Sequence, residues 1–407
     1  MRTTLSAVVV VLGLLTTGTP ARAQIGDGGP DPDRARVRIG PLMMNPSIAL
    51  TNIGIDHNVF NDPVDKAPKQ DFTVTITPML DVWLRVGRTR MTGAVNEQIN
   101  WYQDYASERS ANNVYKLGWQ VPGTRMTLKL DSSYANVRER PGFEIDTRAA
   151  RTETNFSGAY DVHAFSKSLI GVMGSRVDTR FADDARFQGT NLRTSLNRVD
   201  SSYGVNLRQE LTPLTTLTIS ALRSMSRFEF SPGRDTASNS LNASAAFAPA
   251  ALIRGALSVG YTDFTPADPS LPRYTGVIGT VDLTYVLLGS TRFAVLGNRG
   301  VQYSYDLAQP YYLQSRIGGS VAQRIFGPLD VQVRGDVAWL NYRDRDGAQV
   351  QVPNRTDRVT TVGAGVGVHL GKDLRLAFNV DQNNRDTLVT DHEYRKFLIG
   401  SSLTYGF

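Results

Sequence analysis

The feature that most constrains this chain is a period-two alternation running through residues 45–407, in which one face is apolar and the other carries charge freely. Leu329, Val331, Val333, Val337 and Trp339 alternate with Asp330, Gln332, Arg334 and Asp336. Met126, Leu128, Leu130 and Tyr134 oppose Thr127, Lys129, Asp131 and Ser133. Val199, Tyr203, Val205 and Leu207 oppose Asp200, Ser202, Asn206 and Arg208, and Leu374, Leu376, Phe378 and Val380 oppose Arg375, Asn379 and Asp381. Successive side chains of a strand point to opposite faces, so this period predicts strands. The second face is too charged for a dry protein core. The pattern therefore predicts an all-β transmembrane up-and-down barrel, with lipid outside and a polar lumen inside.

Met1-Arg2, the apolar run Leu5 to Leu15 and Ala21-Arg22-Ala23 read as a secretory signal peptide over residues 1–23. That run is shorter than the ~20 apolar residues a membrane-spanning helix needs. Residues 24–44, with Gly-Gly-Pro-Asp-Pro-Asp, read as a flexible periplasmic lead-in to a barrel over residues 45–407. The chain has no cysteine, so an exported fold must hold without disulfides. A net charge of +6 without a clustered basic face gives no ground for nucleic acid.

Connections alternate in length. Short turns are expected at Gly87-Arg88, Pro122-Gly123, Ser166-Lys167, Thr212-Pro213, Ala248-Pro249, Gly289-Ser290, Gly327-Pro328 and Gly371-Lys372. Longer polar segments fall at 61–70, 106–111, 139–149, 182–189, 231–236, 265–272, 307–310, 345–355 and 384–390. Short periplasmic turns and longer outer loops characterise bacterial barrels, and these connections imply about 18 antiparallel strands, with 16 as the alternative. Aromatic belts are expected at Trp101, Tyr105, Trp339 and Tyr342 on the outer side and Trp83 and Trp119 on the inner, as amphipathic rings favour membrane interfaces. A soluble sandwich or propeller would bury those rings. Glu97 and Arg299 interrupt the apolar face. They imply a register-shifting bulge, burial at an oligomer interface, or a register displaced by one residue.

The last strand places Phe397, Ile399, Leu403, Tyr405 and Phe407 at alternate positions, with Gly400 among them. This resembles the signal read by the barrel assembly machinery through strand addition. Pro46-Ser47-Ile48-Ala49, then Asp56-His57-Asn58-Val59-Phe60, then Asp71-Phe72-Thr73-Val74-Thr75-Ile76-Thr77-Pro78 resemble the opening of the outer-membrane β-barrel porin family associated with exopolysaccharide gene clusters. His57 fills that family's variable position, and beyond these residues the resemblance is one of length and strand rhythm. It implies a pore for polysaccharide export or general solute passage, with periplasmic export partners.

No enzyme site assembles. His57, His163, His369 and His392 show no His-x-x-x-His or Glu-x-x-His spacing, so neither a metal nor a cofactor is expected, and solvated or satisfied histidine is the simpler reading. Asp183-Asp184 and Asp344-Arg345-Asp346 could hold Ca²⁺ or bridge lipopolysaccharide phosphates, though solvated loop charge is the simpler account. The lumen is expected to be lined by Lys129, Asp131, Asp200, Asn206, Arg208, Asp282, Gln314, Arg316, Asp330, Gln332, Arg334, Asp336, Arg375, Asn379 and Asp381. Mixed signs with amides suit hydrated, weakly charged polymers or small polar solutes, whereas a single sign would select ions. The same residues could equally pair with one another across strands. The expected function is an outer-membrane pore for passive solute passage or polysaccharide export. The alternative is a structural or adhesive barrel that binds a surface partner through its outer loops.

Overall fold

The computed structural model describes residues 35–248 and 250–406. The expected leader, the first part of the lead-in and Phe407 lie outside the described residues. Strands β1 (Leu42–Asp56), β2 (Asp71–Val86), β3 (Thr89–Tyr102), β4 (Ser110–Pro122), β5 (Met126–Glu139) and β6 (Ala149–Phe165) open the barrel. They are followed by β7 (Ser168–Phe181), β8 (Arg198–Thr212), β9 (Thr215–Phe228), β10 (Thr236–Phe247), β11 (Ile253–Pro266) and β12 (Tyr274–Leu287). The last six are β13 (Thr291–Tyr303), β14 (Tyr311–Arg324), β15 (Leu329–Arg343), β16 (Thr356–Leu370), β17 (Leu374–Asp386) and β18 (Tyr394–Tyr405). Each strand pairs antiparallel with the next, and β18 pairs back onto β1, so the ring of 18 strands is closed. Closure gives every strand two neighbours, which satisfies backbone groups across the lipid-facing ring, although the β12–β13 ladder stops short of the outer end, at Gly279 and Arg299.

Within the described residues, the short turns expected from the sequence join strands at one end of the barrel, and the longer segments fall at the other. The turn between β12 and β13 shows why. Leu288 and Gly289 both take positive φ, 50° and 70°, which is the geometry of the tight hairpin turn whose twist matches paired strands. At the seam β1 carries a bulge: Asn52 sits at φ 53°, and the register with both neighbours shifts between Leu50 and Gly54. Asn tolerates that conformation, and its amide donates to Thr75 Oγ1 at 3.2 Å. Ahead of β1, Val37–Ile39 folds back on Leu42–Met44 through the Gly40-Pro41 turn, so the first barrel strand starts three residues earlier than expected.

The apolar face is outside. Leu117, Val172, Val205, Leu241, Val259 and Val362 are each more than half exposed, because lipid is their natural burial. Glu97 and Arg299 remain on that face with no shift of register around them. Tyr115 donates its phenol to Glu97 at 3.3 Å, and Arg299 Nε donates to the Val277 carbonyl at 3.2 Å.

Two belt positions are corrected. Trp83 pairs with Thr92 on the interior face of β2 and is 7% exposed. The alternation of β2 itself sets this: Trp83 lies on the same face as Thr73, Thr75, Thr77 and Asp81, in an unbroken register with β3. Tyr342 also faces inward, 1% exposed, its ring 5.1 Å from that of Tyr312. The β15 face opposite Trp339 stays interior to the strand's end, because inward-folded loops pack on it. Trp101 and Trp119 are exposed outward, Trp339 lies outward and half-buried, and Tyr105 lies past β3, edge-on to Phe60 at 5.0 Å.

Candidate functional site

The barrel interior changes character along its axis. Register places Lys129, Asp131, Asp200, Asn206, Arg208, Asp282, Gln314, Arg316, Asp330, Gln332, Arg334, Asp336, Arg375, Asn379 and Asp381 on the face opposite the exposed aliphatics. Much of this wall is paired. Arg375 reaches Asp330 at 2.6 Å, Arg334 reaches Asp381 at 2.5 Å, and Arg316 reaches Asp336 at 3.0 Å. Asp161 accepts Arg208 at 2.7 Å, with Lys129 at 3.9 Å. The first two pairs span a whole strand, and β16 allows it by carrying glycine at its inward positions. A Cβ at Gly367 would collide with the Arg375 guanidinium, and one at Gly363 with the Asp381 carboxylate. Toward the short-turn end the interior is wet: Lys116, Asp131 and Asp282 face inward and are exposed.

Toward the long-loop end the interior is filled. The loop of residues 140–148 leaves β5, crosses the barrel and returns to β6. Phe143 packs on Tyr312, Ala338, Leu340 and Tyr342, which belong to strands on the far side. Glu144, 1% exposed, accepts the Ser304 hydroxyl at 2.6 Å and the Tyr305 backbone N–H at 3.2 Å. Arg385 on β17, fully buried, donates to the Glu144 carbonyl at 3.0 Å and pairs with Asp146 at 2.8 Å and Asp357 at 2.6 Å. Arg140 ties the loop's start to the Val59 carbonyl at 2.7 Å, and Arg148 pairs with Glu108. One segment thus touches strands or loops from opposite quadrants, which only a path across the bore permits.

A second inward element rests on the first. Residues 182–197 form a short hairpin and helix α1 (Leu192–Leu196), capped by Asn191, whose side chain accepts the Arg193 N–H at 2.9 Å. Phe187, Leu192 and Leu196 pack with Ile145 of the crossing loop and Tyr305. Arg234, 6% exposed, donates to the carbonyls of Ser195, Ser304 and Pro310 at 2.6 to 2.8 Å, riveting α1 to the loop between β13 and β14.

Burial dominates the electrostatics of these loops. It pushes the Glu144 carboxyl up to about 7, against the opposing pull of the Ser304 hydroxyl and the Arg355 and Arg385 guanidiniums. Asp146 is raised by burial despite Arg385 and Arg140. Arg234 is pushed down to about 10 by burial, and His392 to about 4 by burial beside Arg385 and Arg355. At neutral pH His392 is thus uncharged among arginines, while Glu144 stands at its titration point.

The histidines do not converge. His57 is exposed at the outer rim, His392 is buried in a loop there, His163 is exposed at the inner end, and His369 bonds Asp330 at 2.9 Å. Among the described residues no group of three or more His, Asp or Glu side chains is arranged to hold a metal. Asp183 pairs with Arg193 of its own loop at 2.5 Å, and Asp344 accepts the Gln309 amide of the preceding outer loop and the Asn354 N–H. On β18, Phe397, Ile399, Leu403 and Tyr405 share the outward face and Gly400 turns inward. Residues central to the constriction, Phe143, Glu144, Asp146, Asp357 and Arg385, were not singled out in the sequence. The available signal was Phe143 and Ile145, two large apolar side chains in a segment otherwise reading as polar outer loop.

A family model described as "Putative beta-barrel porin 2" matches residues 31–407. No curated protein matches the chain. Among solved structures, the outer membrane protein opdK from Pseudomonas aeruginosa matches at 9% identity, covering 89% of this chain and 98% of its own, with a TM-score of 0.47. OccK2 (OpdF) from Pseudomonas aeruginosa matches at 10% identity over 89% and 98%, with a TM-score of 0.47. A BenF-like porin from Pseudomonas fluorescens Pf-5 matches at 9% identity over 91% and 100%, with the same score.

Proposed function

Since the chain belongs to the β-barrel porin family whose model spans residues 31–407, we propose that it is an outer-membrane pore passing small, hydrated polar solutes through a constriction formed by residues 140–148. One observation carries this reading: a wet interior bearing mixed, largely paired charge meets a single loop that crosses the bore near its outer end. A paired wall presents weak net field, so it favours neutral and weakly charged solutes over one class of ion. Saccharides fit that description, since a part-exposed lumen amide such as Asn379 exchanges hydrogen bonds with hydroxyls at little cost. The inward packing of residues 140–148 and 182–197 also leaves less loop surface to bind an external partner, which counts against the adhesive alternative.

Single-channel recording in planar bilayers tests the proposal. The wild type is expected to give small discrete conductances, and replacing residues 141–147 by a short Gly-Ser linker to enlarge them several-fold. A barrel sealed at all voltages both with and without the loop would end the pore reading.

A further inference from the structure

The outward face of β7, β8 and β9 departs from the aliphatic pattern near its outer end. Arg176, Arg180 and Arg227 stand there exposed, around a groove of about 440 Å³. Register fixes their arrangement. Arg176 lies in a lateral row with Ser201 and Met225, and Asp178, Val199 and Arg227 form the row above. Arg176 and Arg227 are therefore two strands and two residues apart, roughly 10 Å across and roughly 7 Å along the strands. Between them lie the short side chains of Val199 and Ser201, so two guanidiniums can converge over a floor that does not obstruct them. Asp178 does not neutralise the pair, because Arg180 holds both its carboxylate oxygens at 3.0 Å. Glu229 at the upper edge accepts the Asn197 amide at 3.2 Å. Neither Arg176 nor Arg227 has an ion-pair partner among the described residues.

Depth and surroundings identify the ligand. Arg176 is eight residues up β7 from Ser168. At ~3.3 Å per residue and ~40° tilt, that is roughly 20 Å above the inner rim, near the top of an apolar band ~25 Å tall. One row below stand Tyr203 and Arg223, the latter donating to the Asn239 side-chain carbonyl at 3.2 Å, and beneath them Ile170, Val172, Val205, Leu207 and Ile219 are about half exposed. Two unpaired arginines over an aliphatic lane match an amphiphile with an anionic head above acyl chains. Guanidinium binds phosphate through parallel N–H donors, and placement at the interface spares it the cost of facing hydrocarbon. A second copy of this face would bring arginines against arginines.

We infer that this groove is a binding site for the phosphate of an outer-leaflet phosphorylated glycolipid of the lipid A type, with its acyl chains lying along β7 to β9. The site is on the outside of the barrel and does not depend on the pore reading.

The test uses purified full-length protein in detergent, titrated with bisphosphorylated lipid A and its dephosphorylated form and read by native mass spectrometry. Wild type is expected to hold the phosphorylated lipid at least about tenfold more tightly. The Arg176→Ala/Arg227→Ala double variant is expected to lose that preference, while Arg358→Ala, an exposed outward arginine on β16, keeps it. Heat-modifiable electrophoretic mobility checks that each variant is folded. Equal binding of the two lipids by wild type overturns the inference without recourse to a variant. So does undiminished binding by a folded double variant, competition by inorganic phosphate at matching concentration, or a dimer that the double variant abolishes.

Discussion

Replacing Arg385 by Met isolates the interaction that holds the constriction loop. The side chain is 0% exposed and joins three groups: the Glu144 carbonyl, Asp146 and Asp357. Met keeps the aliphatic bulk and removes all five donors. Asp357 retains the Thr387 hydroxyl at 2.5 Å and Arg355 at 3.4 Å, so the uncompensated group is chiefly Asp146, held by Asn61 at 3.2 Å. Removing one member of a buried pair costs about 3–5 kcal/mol, and the surviving partners place this case at the low end. If the cost falls on docking of residues 140–148, about 3 kcal/mol shifts the closed-to-open ratio roughly a hundredfold. Single-channel recording of Arg385→Met is expected to show long-lived larger conductances, and limited proteolysis to cut within residues 140–148 in the variant alone. Unchanged conductance together with an uncut loop would refute the assignment of Arg385 as the latch.

Glu144 titrates from a pKa near 7 in the fold against 4.5 when exposed, so the closed loop is most stable below about 4.5 and loses up to ~3 kcal/mol as pH rises through 7. Open probability is expected to rise between pH 5 and 8 in wild type and to stay flat in Glu144→Gln; parallel titrations would remove Glu144 from the gate. Gly367→Val drives a side chain into the Arg375 guanidinium and should cost about 2–3 kcal/mol through the lost Asp330 pair, read as a lower midpoint in denaturant unfolding. Val205→Arg places charge on the lipid side near mid-depth and should cost about 2–4 kcal/mol, whereas Asp282→Asn should leave stability unchanged and shift reversal potential toward anions.

The barrel was legible because lipid and water enforce alternation residue by residue, and turns announce themselves locally. Gly289 and Gly371 mark reversals through their own φ, and Leu329 to Trp339 carry their faces in the sequence. The interior lattice was legible as a set of positions but not as pairs. Arg375 reaches Asp330 across β16, which requires knowing that Gly367 lies between them. Trp83 lay within reach of the local pattern, since counting by twos from Thr73 through Thr75, Thr77 and Asp81 puts its ring on the inward face. The constriction was least visible because its contacts join residues hundreds of positions apart, as with Arg385 and Glu144. No local pattern encodes whether a polar outer loop folds inward.

Absence of cysteine makes one measurement direct. Single cysteines placed along β5, residues 126–139, in lipid vesicles can be probed with a charged, water-soluble thiol reagent. The closed, water-filled barrel predicts labelling at Lys129 and Asp131 and protection at Leu128 and Leu130, alternating along the strand's lipid-embedded part. Uniform labelling, or a periodicity of three to four residues, would contradict it.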